Sequence, residues 1–394
     1  MARRVDDDLR TEEPSPVSAR EQASGTACRL GNCAPRRLAD PGSVHLDRSL
    51  VLEKSHRGHS VAIMALKIEL VTPGPDFSIS ADGKMPVVTL RLTGPELPAA
   101  APDAGAAPVA ITCDWVVKLT FNCADAPHGP SRVVAHPDIA VRTTKPELTI
   151  PFSKIRGGNL SIAVVARIGT QTLQAELTES GGKPLRVAGT NPSKSQLHLA
   201  IPSRALRLIV QNESSCRQFD SGLPLFSRDN LGGVGLLQIT SPPPSDDEIW
   251  DWQANVRAAI TLFAGKLAAA RGFPRQVRTN ARFVSLARSY NADREKAGKR
   301  ALDIRLPDFT EEQVELDAIR GYNGYAGTDF FLGPRHLHEF RVVVRDATGA
   351  APSLVVTEDR GQAFGTAQWE RVPPGVRPRP FDGYVDNVTS KGDF

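Results

Sequence analysis

Hydrophobic and polar positions divide the chain into three stretches with different periods. Residues 1 to 62 show no sustained period: charge, Pro, Gly and Ser follow one another without an apolar face, as in a disordered tail or a stretch upstream of the true translation start. From about Ala65 to Pro202 the period is two. The runs MPVVTLRL, ITCDWVVKLTF, PELTIPF, NLSIAVVARI, TLQAEL and QLHLAI are separated by Gly and Pro and read as strands. In NLSIAVVARI the residues Leu160, Ile162, Val164, Ala166 and Ile168 share one face, and Gly169-Thr170 then turns the chain towards Leu173, Ala175 and Leu177 as a hairpin. Several such strands predict an all-β, immunoglobulin-like sandwich over residues 63–202.

Beyond Pro202 the spacing lengthens to that of helices. Ser203 is placed to cap a helix that carries Leu206, Ile209 and Val210 on one stripe. Ser245 with Glu248 forms a capping box for IWDWQANVRAAITLFAGKLAAA, which should stop at Gly272 ahead of Pro274, and Thr310 with Gln313 forms another before VELDAIRGYNG. Trp252, in register with Val256 and Ala259, is expected in the core, and Trp250, on another face, partly exposed. EFRVVVRD and SLVVTED read as strands. The chain is therefore expected to be multidomain, its residues 203–394 forming an α+β, mainly helical domain.

Length agrees with more than one unit, since 394 residues exceed an ordinary domain. The 48 basic and 44 acidic residues leave a net charge of +4, without the Lys/Arg blocks of a nucleic-acid binder but with a weak pull towards anionic wall polymers. Neither Met1 nor Met64 is followed by the apolar run of a Sec signal peptide, and no transmembrane segment is expected, because no stretch approaches about 18 apolar residues. The five cysteines are too few for a disulfide framework. A straight strand holds Cys113 and Cys123 roughly 33 Å apart at about 3.3 Å per residue, which favours reduced thiols.

Candidate chemistry concentrates after Ser203. Glu213 follows Val210, Ile209 and Leu206 by three, four and seven residues, which places its carboxyl on the apolar stripe at the negative end of the helix. Desolvation there favours the protonated form, able to donate to a glycosidic oxygen. Taken alone, such a residue is more often an ordinary helix-end carboxylate facing water. Glu213-Ser214, then Gly235-Leu236-Leu237-Gln238-Ile239, then Gly321-Tyr322-Asn323-Gly324 follow in order, and YVDNV (Tyr384 to Val388) closes the chain.

This series resembles the ordered motifs of soluble lytic transglycosylases and goose-type lysozymes, Glu-Ser, Gly-Leu-Met-Gln-Ile and Ala-Tyr-Asn-Gly, over about residues 203 to 390. The departures are Leu237 for Met and Gly321 for Ala. The resemblance implies a lysozyme-like catalytic domain with Glu213 as acid and Tyr322 orienting its carboxyl. Gln238 would contact the glycan, Asn323 would line the cleft, and Ser214, Gly235 and Asp229 would lie along the substrate. The closing segment would return an aromatic to the groove.

The implied reaction is cleavage of the β-1,4 bond between N-acetylmuramic acid and N-acetylglucosamine in peptidoglycan glycan strands. Without a second carboxylate the C6 hydroxyl attacks and an anhydro end results. With Asp220 or Asp229 holding a water across roughly 6.5 to 9.5 Å, the outcome is hydrolysis; turn composition around both favours a turn role. No cofactor and no metal are called for: His336 and His338 alternate around Leu337 but lack a third ligand. Cys216 reads as a small buried thiol, and Gly232-Gly233-Val234-Gly235 lacks the Lys-Ser/Thr of a phosphate loop. A non-catalytic wall-binding or phage-tail protein is the rival reading. Action in the periplasm or cell wall without a signal peptide implies an injection apparatus or holin as the delivery route, with a delivery-machine or immunity-protein partner.

Overall fold

The computed structural model describes residues 66–394 except Pro73, Glu96, 98–109, 124–131, 228–231, 325–335, 346–351 and 378–381. The expected N-terminal tail lies outside the described residues. Strands come first: β1 (Lys67–Leu70), β2 (Asp76–Ile79), β3 (Thr89–Thr93), β4 (Ile111–Cys123), β5 (Arg132–Ala135), β6 (Ile139–Thr143), β7 (Glu147–Thr149), β8 (Gly158–Ile168), β9 (Gln171–Leu177), β10 (Glu179–Ser180), β11 (Lys183–Pro184) and β12 (Arg186–Gly189). Helices and short strands then mix: α1 (Lys194–Ala200), α2 (Arg204–Glu213), β13 (Phe219–Asp220), β14 (Leu223–Pro224), α3 (Asp246–Trp250), α4 (Trp252–Thr279), α5 (Ala281–Lys296), β15 (Asp303–Arg305), α6 (Glu311–Tyr322), β16 (Phe340–Val342), β17 (Val344–Arg345), β18 (Ser353–Leu354), β19 (Val356–Glu358), β20 (Phe364–Ala367), β21 (Trp369–Arg371) and α7 (Tyr384–Thr389).

Strict alternation makes β4 and β8 the spine of the first part. Ile111, Cys113, Trp115, Val117, Leu119 and Phe121 all point into the core, and Trp115 lies opposite Val164 of the antiparallel β8. Gly169, at φ +57, turns β8 into β9. The resulting seven-stranded sheet runs β2-β12-β8-β4-β5, with β6 also on β4 and β9 on β8; β12 and β2 pair in parallel. A three-stranded antiparallel sheet, β1-β3-β7, shares its hydrophobic cluster through Leu90, Leu92 and Leu148. Cys113 is a free, buried thiol.

A second cluster fills the space among α2, α4, α6 and α7, with Leu206, Ile209, Val256, Phe263, Ile319, Val385 and Val388 in it. The two cores are tied together at α3. Trp250, expected partly exposed, is fully buried, and it belongs to the sheet cluster, with Phe121 edge-on at 5.4 Å and Phe219 at 5.8 Å. Gly157 lies flat against this ring, where a Cβ would come within 2.1 Å of it. Trp252 turns the other way into the helical cluster, and its indole N–H donates to the Ala81 carbonyl at 2.9 Å. The described residues thus belong to one compact unit, Ala62–Phe394.

Three local expectations are corrected. QLHLAI is helical: Ser193 and Gln196 form a capping box for α1, so Leu197 and Ile201, one turn apart, are buried while Leu199 is 85 % exposed. The helix expected to stop at Gly272 instead runs through Pro274 to Thr279. The proline removes one helical hydrogen bond, at about 3 kcal/mol, and burial of Phe273, Pro274 and Val277 offsets that loss. The Ser245 capping box starts only the short α3; Asp251 breaks the helix and caps α4 anew.

The expected fold class is corrected as well. An immunoglobulin-like sandwich followed by a mainly helical lysozyme-like domain does not describe the molecule: among the described residues helix and strand are nearly balanced, about 30% and 32%, and no helical lysozyme-like domain is evident. Beyond Pro202 the helices alternate with small sheets, β13-β14, β15-β20-β19, β16-β21 and β17-β18. Their strands hold two to four residues, too few for a period to register in the sequence. Among the described residues no helix is long and apolar enough to cross a membrane.

Trp250→Ala should remove about 3–5 kcal/mol of stability in urea denaturation, as expected for emptying a fully buried indole site. A loss below about 1 kcal/mol would show that α3 does not join the two cores.

Candidate active site

Helix α2 exists because Ser203 caps it, accepting from the Leu206 N–H at 3.4 Å, and because Ala205 to Val210 are buried. Its last residue is Glu213. The chain leaves sharply: the Ser214 hydroxyl donates back to the Val210 carbonyl at 3.1 Å, and Ser215 and Cys216 follow with φ of +53 and +65. Among the described residues, all four non-glycine positions with positive φ lie between Ser215 and Gln238, and two of them, Ser215 and Gln238, line a cavity beside Glu213. Such conformations hold about 1–3 kcal/mol of strain each and collect where a side chain must be aimed.

The Glu213 carboxylate is held from the far end of the chain. The Tyr384 hydroxyl donates to Glu213 Oε1 at 2.6 Å, and Asn212 Nδ2 approaches the same oxygen at 3.5 Å. Tyr384 opens α7 just after Gly383, whose φ of +74 sets the entry of the helix. Burial first, and then the Glu213 charge and hydrogen bond, push the Tyr384 hydroxyl well above the ordinary phenol range, so it remains a donor. Tyr322, at the end of α6, is pushed up by burial and then by Glu213. Its hydroxyl donates to the Leu237 carbonyl at 2.8 Å. The hydrogen bond to Glu213 expected from Tyr322 comes instead from Tyr384, while the Tyr322 hydroxyl braces the wall.

That wall is the GLLQI segment, an aperiodic loop in which the Leu236 and Leu237 N–H groups are satisfied by two buried amides. Gln218 Oε1 accepts from the Leu236 N–H at 3.0 Å, while Gln218 Nε2 donates to the Ile249 and Glu248 carbonyls at 2.9 and 3.2 Å. Asn255 Oδ1 accepts from the Leu237 N–H at 3.2 Å, and its Nδ2 donates to the Val234 carbonyl at 3.0 Å. Gly235, at φ +76, passes so close to Gln218 that a Cβ would sit 2.4 Å from Gln218 Oε1. Gln238 follows at φ +47; its Nε2 donates to the Gly235 carbonyl at 2.8 Å, and its Oε1 is buried with no partner among the described residues. A buried acceptor left open is suited to a donor from a ligand.

Glu213, Gln238, Tyr322 and Asn323 line one cavity of about 300 Å³, together with Leu262 and Lys266 of α4. Burial lowers the Lys266 ammonium from the ordinary lysine range. A second cavity, about 420 Å³, shares Glu213, Ser227 and Gln238 and is lined further by Ser214, Arg217 and Phe226. Gly235 lies behind the wall rather than on the cavity surface, and Asp229 is outside the described residues. Asp220 lies on β13, exposed, its carboxylate 3.7 Å from Arg217 Nη1, and lines neither cavity. Cys216 is buried, with Sγ donating to Gln211 Oε1 at 3.1 Å.

The two histidines are drawn into packing. His338 Nδ1 lies 3.1 Å from Asp317 Oδ2 and its ring stacks on Phe273 at 3.6 Å, while a His336 ring nitrogen lies 3.0 Å from the Phe340 carbonyl. Among the described residues no group of three or more His, Cys, Asp or Glu is placed to hold a metal ion. Sequence reasoning missed Lys266 and also Gln218 and Asn255, two amides whose burial depends on backbone from other segments; the YVDNV ending was the one signal for Tyr384.

Neither the family models, nor the curated proteins, nor the solved structures contain a match to this chain.

The two buried phenols set an alkaline limit. An unfolded tyrosine ionises near pH 10, so below that both states keep the proton and the contribution of burial is fully present. Above it the unfolded chain loses protons first, and stability should fall by about 1.4 kcal/mol per pH unit for each buried phenol. Urea denaturation between pH 9.5 and 11 should show this decline, and Tyr384→Phe should remove one phenol's share of the slope; an unchanged slope would mean that Tyr384 is not buried against Glu213.

Proposed function

We propose that this chain cleaves the β-1,4 bond between N-acetylmuramic acid and N-acetylglucosamine in peptidoglycan, in the manner of a lytic transglycosylase, with Glu213 as its acid. The observation that carries this reading is the Glu213 carboxyl, fixed by the buried Tyr384 hydroxyl where two cavities meet beside Gln238. The motif order supports it, and it does not depend on a lysozyme-like fold.

In this mechanism Glu213 donates its proton to the glycosidic oxygen as the bond to C1 breaks, leaving a free 4-hydroxyl and an oxocarbenium-like centre. The C6 hydroxyl of the same muramyl residue attacks C1, and the Glu213 carboxylate takes up the C6 hydroxyl proton. The products are a 1,6-anhydromuramyl end and a shortened strand, with Glu213 again protonated. Among the described residues that line the two cavities, Glu213 is the only carboxylate, which favours internal attack over a carboxylate-activated water. Tyr384 positions the acid, and the open Gln238 Oε1 is an acceptor for an N–H or O–H of the glycan. Such a substrate places the activity in the periplasm or cell wall.

Mass spectrometry of the soluble products from purified peptidoglycan tests this. The full chain should release anhydro-muropeptides, and Glu213→Gln should slow their release by about 10²–10⁴-fold. Reducing ends would replace the lyase by a hydrolytic muramidase; no product from the parent would favour a non-catalytic wall-binding protein. Tyr384→Phe removes one hydrogen bond to a charged group, about 1.5–3 kcal/mol, and should lower kcat roughly 10- to 100-fold with KM little changed. An unaltered kcat would show that the phenol does not position the acid.

A further inference from the structure

The cavity on the far side of Glu213 has a feature that cleavage alone does not require. It is lined by Ser214, Ser215, Arg217, Leu225, Phe226 and Ser227, and it joins the first cavity at Glu213 and Gln238. Arg217 is its only cation among the described residues, four positions after the acid. The tight exit from α2 puts it there: the Arg217 N–H donates to the Ser214 hydroxyl oxygen at 3.3 Å, and the left-handed Ser215 and Cys216 reverse the chain between them. Its guanidinium is lightly engaged. Nε reaches the Ser214 carbonyl at 3.5 Å, and Nη1 stands 3.7 Å from the exposed Asp220 carboxylate. The side chain is 45 % exposed, so most of its donors face the cavity or solvent.

We propose that this second cavity is an anion-selecting subsite, in which Arg217 pairs with a carboxylate carried by the glycan unit on that side of the scissile bond. The inference rests on the glycosidase reading of Glu213 and adds the charge of the preferred substrate to it. A planar guanidinium with free donors matches a carboxylate in two parallel hydrogen bonds, which neither a hydroxyl nor an acetamido group can supply. Apolar Leu225 and Phe226 form the rest of the wall, and they offer a sugar face contact without competing for the anion. Asp220 is a weak competitor, because a pair at 3.7 Å between groups 45 % and 63 % exposed is easily exchanged for a better-aligned carboxylate. The ligand class is thus a carboxylated amino-sugar oligomer. Its carboxylate belongs either to the lactyl ether of an unsubstituted muramyl residue or to an attached peptide.

Isothermal titration of the full chain bearing Glu213→Gln, which binds without turnover, tests the subsite with three probes. These are a peptide-free muramyl-containing tetrasaccharide, its peptide-bearing form, and a neutral N-acetylglucosamine tetramer. At least one carboxylated probe should bind tenfold or more tightly than the neutral one, and the preferred one identifies the source of the carboxylate. Adding Arg217→Met should collapse the preference to within about twofold, and Arg217→Lys should restore only part of it, while thermal melting checks that both variants fold. Equal affinities, or a preference that survives Arg217→Met, overturn the subsite. If the parent releases glycan products in that case, the glycosidase reading stands without it; if no probe binds and the parent releases nothing, both fall.

Discussion

The hydrogen bond from Tyr384 to Glu213 is the constraint on which the candidate site depends. It joins residues 171 positions apart and fixes the last turn of α2 against the first turn of α7. A carboxyl at a helix end has several rotamers open to it, and its direction is undefined until a partner holds it. Here one oxygen is occupied by a buried donor that stays protonated, so the carboxyl's orientation is set before any ligand arrives. That preorganisation requires α7 to be held rigidly, and the strands β16 and β21 supply the hold. Arg371, at the end of β21, contacts Asp386 of α7 and the buried Glu339 beside β16, each at 2.6 Å.

The facing wall is fixed by a different means. GLLQI has no helix or strand ladder to satisfy its amides, and exposed backbone there would leave buried donors unpaired. Gln218 and Asn255 stand in for a ladder, each bonding the loop on one side and the α3 region on the other. Glu248 and Ile249, whose carbonyls receive these amides, precede Trp250, which is buried in the sheet core. The sheet therefore bears on the site through α3, two residues of backbone away from the amides that hold the loop. Left-handed Gln238 is the end of this chain of restraints, and with its Nε2 tied to the Gly235 carbonyl its Oε1 is left open.

How much of this was legible in the sequence depended on how many residues carried each signal. Strands β4 and β8 were plain because alternation persisted over 13 and 11 residues, long enough to exclude a helical period. QLHLAI was too short for that: Leu197, Leu199 and Ile201 fit a strand face, whereas the capping box of Ser193 and Gln196 was the better signal. Pro274 misled because the local rule against proline yields to tertiary burial of its neighbours. Glu213, Gln238, Tyr322 and Asn323 were found from motif order, and they do line one cavity. That Tyr384 rather than Tyr322 donates to Glu213 was not legible, since both are aromatic residues at helix ends and only the fold decides which hydroxyl reaches the carboxyl. Gln218 and Asn255 carry no pattern at all, because an amide becomes a brace only where distant backbone needs one.

The ion cluster behind α7 bears on why the structure retains buried charge so near the candidate site. Glu339 is fully buried between Arg371 at 2.6 Å and Arg377 at 2.8 Å, and burial outweighs both guanidiniums to push its carboxyl above the ordinary range. Such a cluster is a poor source of net stability, since desolvation consumes most of what the charges gain from one another. Its value lies in direction. Arg371 extends from the buried carboxylate to the exposed Asp386 of α7, so rotation of α7 would pull Asp386 off a guanidinium that Glu339 fixes in place. A hydrophobic contact in the same place would tolerate sliding by an ångström, because apolar burial is non-directional. The orientation of Tyr384, and through it of Glu213, is better secured by the arrangement that contributes less to stability.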